Sequence, residues 1–205
     1  MHDQELEVKF YVTGLGRLER RLQEAGAQLS QPRTHEINLR FDTADGALGG
    51  SGQVLRLRRD SEARLTYKGP SERREGARLR KEIEFSVSDF EAARALLEAL
   101  GYRVTMAYEK YRAVYELGAA HVTLDELPYG NFLEIEGPDP ESIHRTADLL
   151  GLDWEQRAPE SYTGIFENLR QAWHLQFTDL TFANFAGLPV TAADLRLSPA
   201  DTGGA

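Results

Sequence analysis

Eight stretches of this chain alternate apolar and polar residues with a period of two. That pattern constrains the fold more than any other feature of the 205 residues. Such alternation sends successive side chains to opposite faces of a strand. In Glu5-Leu6-Glu7-Val8-Lys9-Phe10, two carboxylates and an ammonium share one face, and Leu6, Val8 and Phe10 share the other. For one strand, a solvated charged face explains this as well as a binding site does. The pattern then recurs. Thr34 to Thr43 sets His35, Ile37, Leu39 and Phe41 against Glu36, Asn38, Arg40 and Asp42. Gln53 to Arg59 sets Leu55 and Leu57 against Arg56 and Arg58, and Glu62 to Lys68 sets Leu65 and Tyr67 against Arg64, Thr66 and Lys68. Leu79 to Val87 sets Ile83, Phe85 and Val87 against Arg80, Glu82 and Glu84. Arg103 to Leu117 places Lys110 and Arg112 on one face. The next strand alternates Val122 and Leu124 with Thr123 and Asp125, and Phe132 to Glu136 sets Leu133 and Ile135 against Glu134 and Glu136.

Four amphipathic helices punctuate these strands. One carries Leu15, Leu18 and Leu22 and stops at Gly26; a second follows Ser88 and Glu91, a capping-box pair, and runs to Leu100. A third opens on Asp139-Pro140 and runs to Leu150, and a fourth is capped by Ser161 and carries Tyr162, Ile165, Phe166 and Leu169 on its apolar side. These helices need apolar surface to dock on. A sheet with charges outside offers none, whereas charges inside leave the Leu, Val, Ile and Phe faces free to receive them. The expected fold is therefore α+β: an eight-stranded antiparallel barrel with a charged interior, covered outside by helices.

An interior lined with carboxylates and cations is costly without counter-charges. Mg²⁺ or Mn²⁺ on the acidic side and phosphate on the basic side supply them. Up to eight basic groups suit a polyanion as long as a triphosphate. Net charge is −9, so neither nucleic acid nor an anionic membrane is an expected partner. Cysteine is absent, which excludes thiolate metal sites. His35, His121 and His144 lie on unrelated segments and do not form a histidine site. The N-terminal stretch enters a charged strand without an apolar leader core, and no run is long enough to span a bilayer, so a cytoplasmic location is expected. Residues 1–173 form the expected domain, and 174–205 a partly disordered C-terminal extension. The polar loop from Gly69-Pro70 to Gly76 is expected to be mobile. A homodimer is left open.

The ordered motifs resemble those of CYTH domains, the triphosphate tunnel metalloenzymes. They are Glu5-x-Glu7-x-Lys9, Phe41-Asp42-Thr43, Leu55-Arg56-Leu57-Arg58, Tyr67-Lys68-Gly69, Glu82-x-Glu84, Glu109-Lys110-Tyr111-Arg112 and Leu124-Asp125-Glu126 running to Phe132-Leu133-Glu134-Ile135-Glu136. The resemblance implies metal binding by Glu5, Glu7, Glu134 and Glu136 with Asp125 nearby. It implies triphosphate binding by Lys9, Arg56, Arg58, Lys68, Lys110 and Arg112, with Arg80, Glu82 and Glu84 on the same lining. The class IV adenylyl cyclase-like subgroup is the most similar. One departure stands out. Where thiamine triphosphatases of the family carry a tyrosine that pairs with the strand-one lysine, this chain has Arg40, which argues against that substrate. Lys9 and Arg40 are the candidate catalytic positions, and Glu36 or Asp42 is a candidate structural partner for Arg40. Three activities follow as expectations: cyclisation of ATP to cyclic AMP and pyrophosphate, hydrolysis of a terminal phosphate from tripolyphosphate or an organic triphosphate, and triphosphate or polyphosphate binding without turnover.

Overall fold

A computed structural model describes residues 4–74 and 77–202 of the chain, with the backbone alone at 4, 5, 72–74 and 77–79. Eight strands, β1 (Gln4–Val12), β2 (Gln28–Asp42), β3 (Val54–Arg59), β4 (Ala63–Arg74), β5 (Ala77–Val87), β6 (Arg103–Leu117), β7 (Ala120–Leu127) and β8 (Gly130–Glu136), form an antiparallel sheet. Their order is β1-β5-β4-β3-β2-β6-β7-β8, and β8 returns to β1 to close a barrel. Among the described residues six α-helices are interspersed: α1 (Leu15–Glu24), α2 (Ala47–Gly50), α3 (Phe90–Ala99), α4 (Pro140–Leu149), α5 (Tyr162–Ala172) and α6 (Ala192–Leu195).

The apolar faces point outward and the helices cover them. Leu6, Val8, Phe10, Val122, Leu124, Leu133 and Ile135 pack against Leu18 and Leu22 of α1 and Ile143 and Ala147 of α4. Leu39, Phe41 and Leu57 pack against Phe90 and Leu97 of α3. Burying each such side chain is worth roughly 1.5–3 kcal/mol relative to exposure. The cover is incomplete, since Ile83 and Phe85 on the outer face of β5 are 45% and 54% exposed.

The helix boundaries follow local chemistry. Asp139 and Ser161 accept from the amides of Ser142 and Gly164 at the starts of α4 and α5. At α3 the cap is Asp89 rather than Ser88, and it accepts from the Ala92 amide. Gly151 follows α4 with φ +64, a conformation that favours glycine. The N-terminus of α1 has no cap of its own, because Gly14 occupies that position. Asp201 serves instead, accepting from the amides of Thr13 (3.0 Å) and Gly14 (2.8 Å) and from Arg17 (2.8 Å).

Three findings depart from the sequence reading. First, β4 does not end at Gly69-Pro70. A register shift between Lys68 and Ser71 absorbs the pair, and the ladder with β5 continues to Arg74 opposite Ala77. Residues 75–76, in the expected mobile loop, lie outside the described residues.

Second, the extension is folded through Thr202. Leu180, Phe185, Leu195, Ala200 and Asp201 are buried, and Thr191 and Asp194 form a capping box on α6. Residues 203–205 lie outside the described residues.

Third, α5 does not lie on the outer wall. With Leu180, Phe185 and Leu195, its buried face joins Tyr11, Tyr108 and Phe132, which share strand faces with the interior residues Lys9, Lys110 and Glu134. This aromatic plug closes one end of the barrel. The extension is held there because β1 and β6 outrun their sheet partners. Leu180 exchanges backbone hydrogen bonds with Ala107 and Glu109 of β6, and the Ala200 amide donates to the Tyr11 carbonyl of β1. An outrun strand edge offers unpaired amides and carbonyls that a tail can satisfy.

Candidate active site

The barrel encloses a cavity of about 620 Å³. Strand alternation and register together decide what lines it. Lys9 lies opposite Glu134 and Glu7 opposite Glu136 across β1 and β8. Lys68 lies opposite Glu82 across β4 and β5, and Arg40 opposite Arg56 across β2 and β3. All eight of those side chains line the cavity, with Arg58, Arg80, Glu84, Lys110 and Arg112. Among the described residues the lining thus holds eight basic side chains and five carboxylates. The acidic side chains come from β1, β8 and β5, whereas the charged lining residues of β2, β3 and β6 are all cations.

The deepest part is an ion network. Asp125, fully buried, receives a forked contact from Arg112 (2.6 and 2.5 Å), a contact from Lys110 (3.3 Å) and the hydroxyl of Tyr162 (2.7 Å). Arg112 also reaches Glu134 at 2.5 Å, and Glu134 pairs with Lys9. Lys9 and Lys110 sit 4.2 and 5.4 Å from the centroid of the Tyr162 ring. Glu36, also fully buried, lies 3.5 Å from Lys110 and 3.6 Å from Arg58. Burial pushes the Glu36 carboxyl up, but Lys110, Arg112, Arg58 and Arg56 more than reverse this and hold it well below the usual carboxylate range. Glu134 is held low in the same way, with Lys9 and Arg112 overcoming its burial. Burial, then Asp125 and Glu134, raises the Tyr162 phenol well above its ordinary value, so it stays protonated and donates to Asp125.

Across β2 and β3 the cavity lining is basic. Arg40 and Arg56 occupy directly opposed positions, where like charges disfavour pairing, and Arg58 follows two residues on. Arg40 donates to Thr163 at 2.9 Å, so its partner is neither Glu36 nor Asp42. Asp42 instead accepts from the amides of Leu48 and Gly49 at α2. The Nε donors of Arg56 and Arg58 are buried and have no hydrogen-bond acceptor. A buried orphan donor costs about 1–3 kcal/mol, and two in one cavity are a place for an anion.

The sequence-selected residues divide as follows. Lys9, Arg40, Arg56, Arg58, Lys68, Arg80, Glu82, Glu84, Lys110, Arg112, Glu7, Glu134 and Glu136 surround one cavity. Asp125 lies buried beneath the lining, engaged by two cations and a phenol. The side chain of Glu5 lies outside the described residues. Among the described residues no three acidic or histidine side chains converge closely enough to hold a metal ion. The donors nonetheless suit a hard cation in type: Glu7 and Glu136 lie opposite each other across two paired strands and both line the cavity. Sequence reasoning gave Glu36 only a pairing with Arg40, gave Asn38 no role in the site and passed over Tyr108; all three are buried on the inward faces of β2 and β6. Their alternation with Ile37 and Tyr111 was the available signal. It also read Tyr162 as core or interface, and nothing in a helical spacing shows that a phenol reaches a carboxylate.

A family model for the CYTH domain matches residues 3–162. The chain belongs to the CYTH domain family. The adenylate cyclase CyaB of Aeromonas hydrophila is 28% identical over 176 residues, covering 80% of this chain and 88% of that protein. A solved protein structure from Pyrococcus horikoshii OT3 superposes with a TM-score of 0.65 at 28% identity, covering 77% of this chain and 96% of that one. A Hippeastrum protein whose structure is described with a dominant triphosphatase activity has the same fold, with a TM-score of 0.62 at 20% identity, covering 80% of this chain and 95% of that one. The CYTH match ends at Tyr162, so the extension that seals this barrel lies beyond it. No helix among the described residues is long and apolar enough to cross a membrane.

Proposed function

We propose that this CYTH protein is a metal-dependent enzyme acting on a triphosphate held in the barrel, with cyclisation of ATP to cyclic AMP and pyrophosphate as its reaction. The observation that supports this most is the placement of Arg40 directly opposite Arg56, beside Arg58, in a cavity whose other wall carries Glu7 and Glu136. Opposed guanidiniums need an anion between them, and several phosphates in a row suit a line of cations that continues to Lys110 and Arg112. The likeness to an adenylate cyclase of Aeromonas hydrophila favours the cyclase over other triphosphate chemistries.

In this reading the cations bind the phosphate chain and stabilise the charge that gathers on departing pyrophosphate. The ribose 3′-oxygen attacks the α-phosphorus, its proton leaves to solvent, and the bond to the β-phosphate oxygen breaks. Lys9 offers an ammonium to phosphate oxygens, and Arg40 adds a cation near the first turn of α5. Glu7 and Glu136, with Glu5, would hold Mg²⁺ or Mn²⁺; such an ion supplies Lewis-acid stabilisation of phosphoryl oxygens. Gln53, Ser161 and Thr163 also line the cavity and offer polar atoms to the nucleoside. The location would be cytoplasmic.

Purified protein supplied with ATP or tripolyphosphate, and Mg²⁺ or Mn²⁺, should form cyclic AMP and pyrophosphate from ATP. Glu136→Ala should abolish turnover without lowering the melting temperature. Orthophosphate release from tripolyphosphate with no cyclic product would replace the cyclase by a triphosphatase. No product from either would leave only a binding protein.

A further inference from the structure

Glu84 occupies a position that a phosphate should want. It projects from β5 into the cavity, and its carboxylate lies 3.1 Å from Arg58, 3.6 Å from Arg56 and 4.0 Å from Arg64. The hydroxyl of Thr66, its cross-strand neighbour, donates to it at 2.7 Å and holds it toward the guanidiniums. Arg64 is also held by Asp60 at 3.0 Å and Glu62 at 3.2 Å, and Arg58 lies 3.7 Å from Asp60, whereas Arg56 pairs with Glu84. The fully buried Glu36 takes part of Arg58, but Arg56 and Arg58 still keep buried Nε donors without acceptors. The Glu84 side chain is 30% exposed, whereas those of Glu36 and Asp125 are wholly buried among the lining cations. Glu84 therefore has room to leave its place, and the other two do not.

The geometry points to Glu84 as a resident counter-ion that an incoming phosphate must displace, and so as a residue that sets how strongly charged a ligand must be to bind. This rests on the reading of the cavity as a triphosphate site. Without ligand, the carboxylate satisfies the arginine cluster and protects the barrel from its own repulsion. With ligand, phosphate oxygens take the guanidiniums and Glu84 turns toward solvent. A single phosphate gives back about what the displaced carboxylate gave. A chain of several phosphates gives more, because it also reaches Lys110 and Arg112. Glu84 thus lowers affinity for every anion and penalises short ones most.

The test is binding of inorganic tripolyphosphate and pyrophosphate by titration calorimetry, in EDTA and at low salt, so that turnover and metal play no part. Removing a like charge beside bound phosphate should tighten tripolyphosphate binding about tenfold in Glu84→Gln. The gain should be at least as large for pyrophosphate, and it should shrink as salt is raised. The glutamine can still accept from Thr66, so the fold should persist. Glu84→Ala, which removes the whole head group, is the second variant if circular dichroism shows the first to be unfolded. If wild-type protein binds tripolyphosphate and the variants bind it equally or more weakly, Glu84 is not a displaced counter-ion. If no form binds tripolyphosphate, the triphosphate reading itself fails and the proposal goes with it.

Discussion

Asp125→Asn separates two roles for a residue that the motif alone places near a metal. In the structure Asp125 is fully buried and accepts from Arg112 twice, from Lys110 and from Tyr162. An amide keeps the shape, but its NH₂ group must face one of those donors. Two buried cations then lose a shared counter-charge. Breaking a buried pair from one side costs about 3–5 kcal/mol. Arg112 keeps Glu134, and Lys110 keeps Glu36, so the lower end applies, about 3 kcal/mol. For a chain of this size each kcal/mol moves the melting temperature by about 2–4 °C, which gives a drop of roughly 6–12 °C. The assay is scanning calorimetry at pH 7 in EDTA. A carboxylate whose main task was to join other carboxylates around a metal would repel them in EDTA, and its neutralisation would hold or raise the melting temperature. An unchanged or higher value for Asp125→Asn would therefore refute the role drawn here.

Two further outcomes follow from the same contacts. Asp201→Ala removes the acceptor of two backbone amides at the start of α1 and of Arg17, and should cost about 2–3 kcal/mol by urea denaturation; a loss under about 0.5 kcal/mol would mean that the extension does not cap the helix. Glu36 and Glu134 are held below their ordinary value of 4.5, so the stability they contribute is present above that pH and is lost as pH falls through and below it. The melting temperature should fall steeply below about pH 4.5, and Glu36→Gln should flatten that limb by up to about 1.4 kcal/mol per pH unit. Identical acid limbs in the two proteins would contradict the burial of an ionised Glu36.

Much of this architecture was legible because a barrel wall repeats one simple pattern. Alternation along β1, β3, β5 and β8 assigned each side chain a face, and the need of α1, α3 and α4 for apolar surface decided which face was inside. The buried ion network inside the barrel was less legible for a physical reason. Whether Asp125 meets Arg112 or a metal depends on side-chain reach across β6 and β7, and spacing along one strand carries no such information. The role of α5 was hidden because an apolar helical stripe looks the same on a wall as in a barrel's end. The extension from 174 was opaque because its anchors, Leu180 and Ala200, use backbone hydrogen bonds to strand edges rather than a periodic face. Gly69-Pro70 misled because a bulge carries the pair through the β4–β5 ladder.

The claim on which the account rests is that inward-facing cations form one site for a chain of phosphates. Titration calorimetry with inorganic tripolyphosphate tests it most directly, comparing wild-type protein with Arg56→Gln inside the barrel and Arg145→Gln on the outer surface of α4. One tripolyphosphate should bind per chain, about tenfold more weakly in Arg56→Gln and unchanged in Arg145→Gln. Equal affinity in all three proteins, or several weak equivalents per chain, would place the anion on the surface and contradict the account.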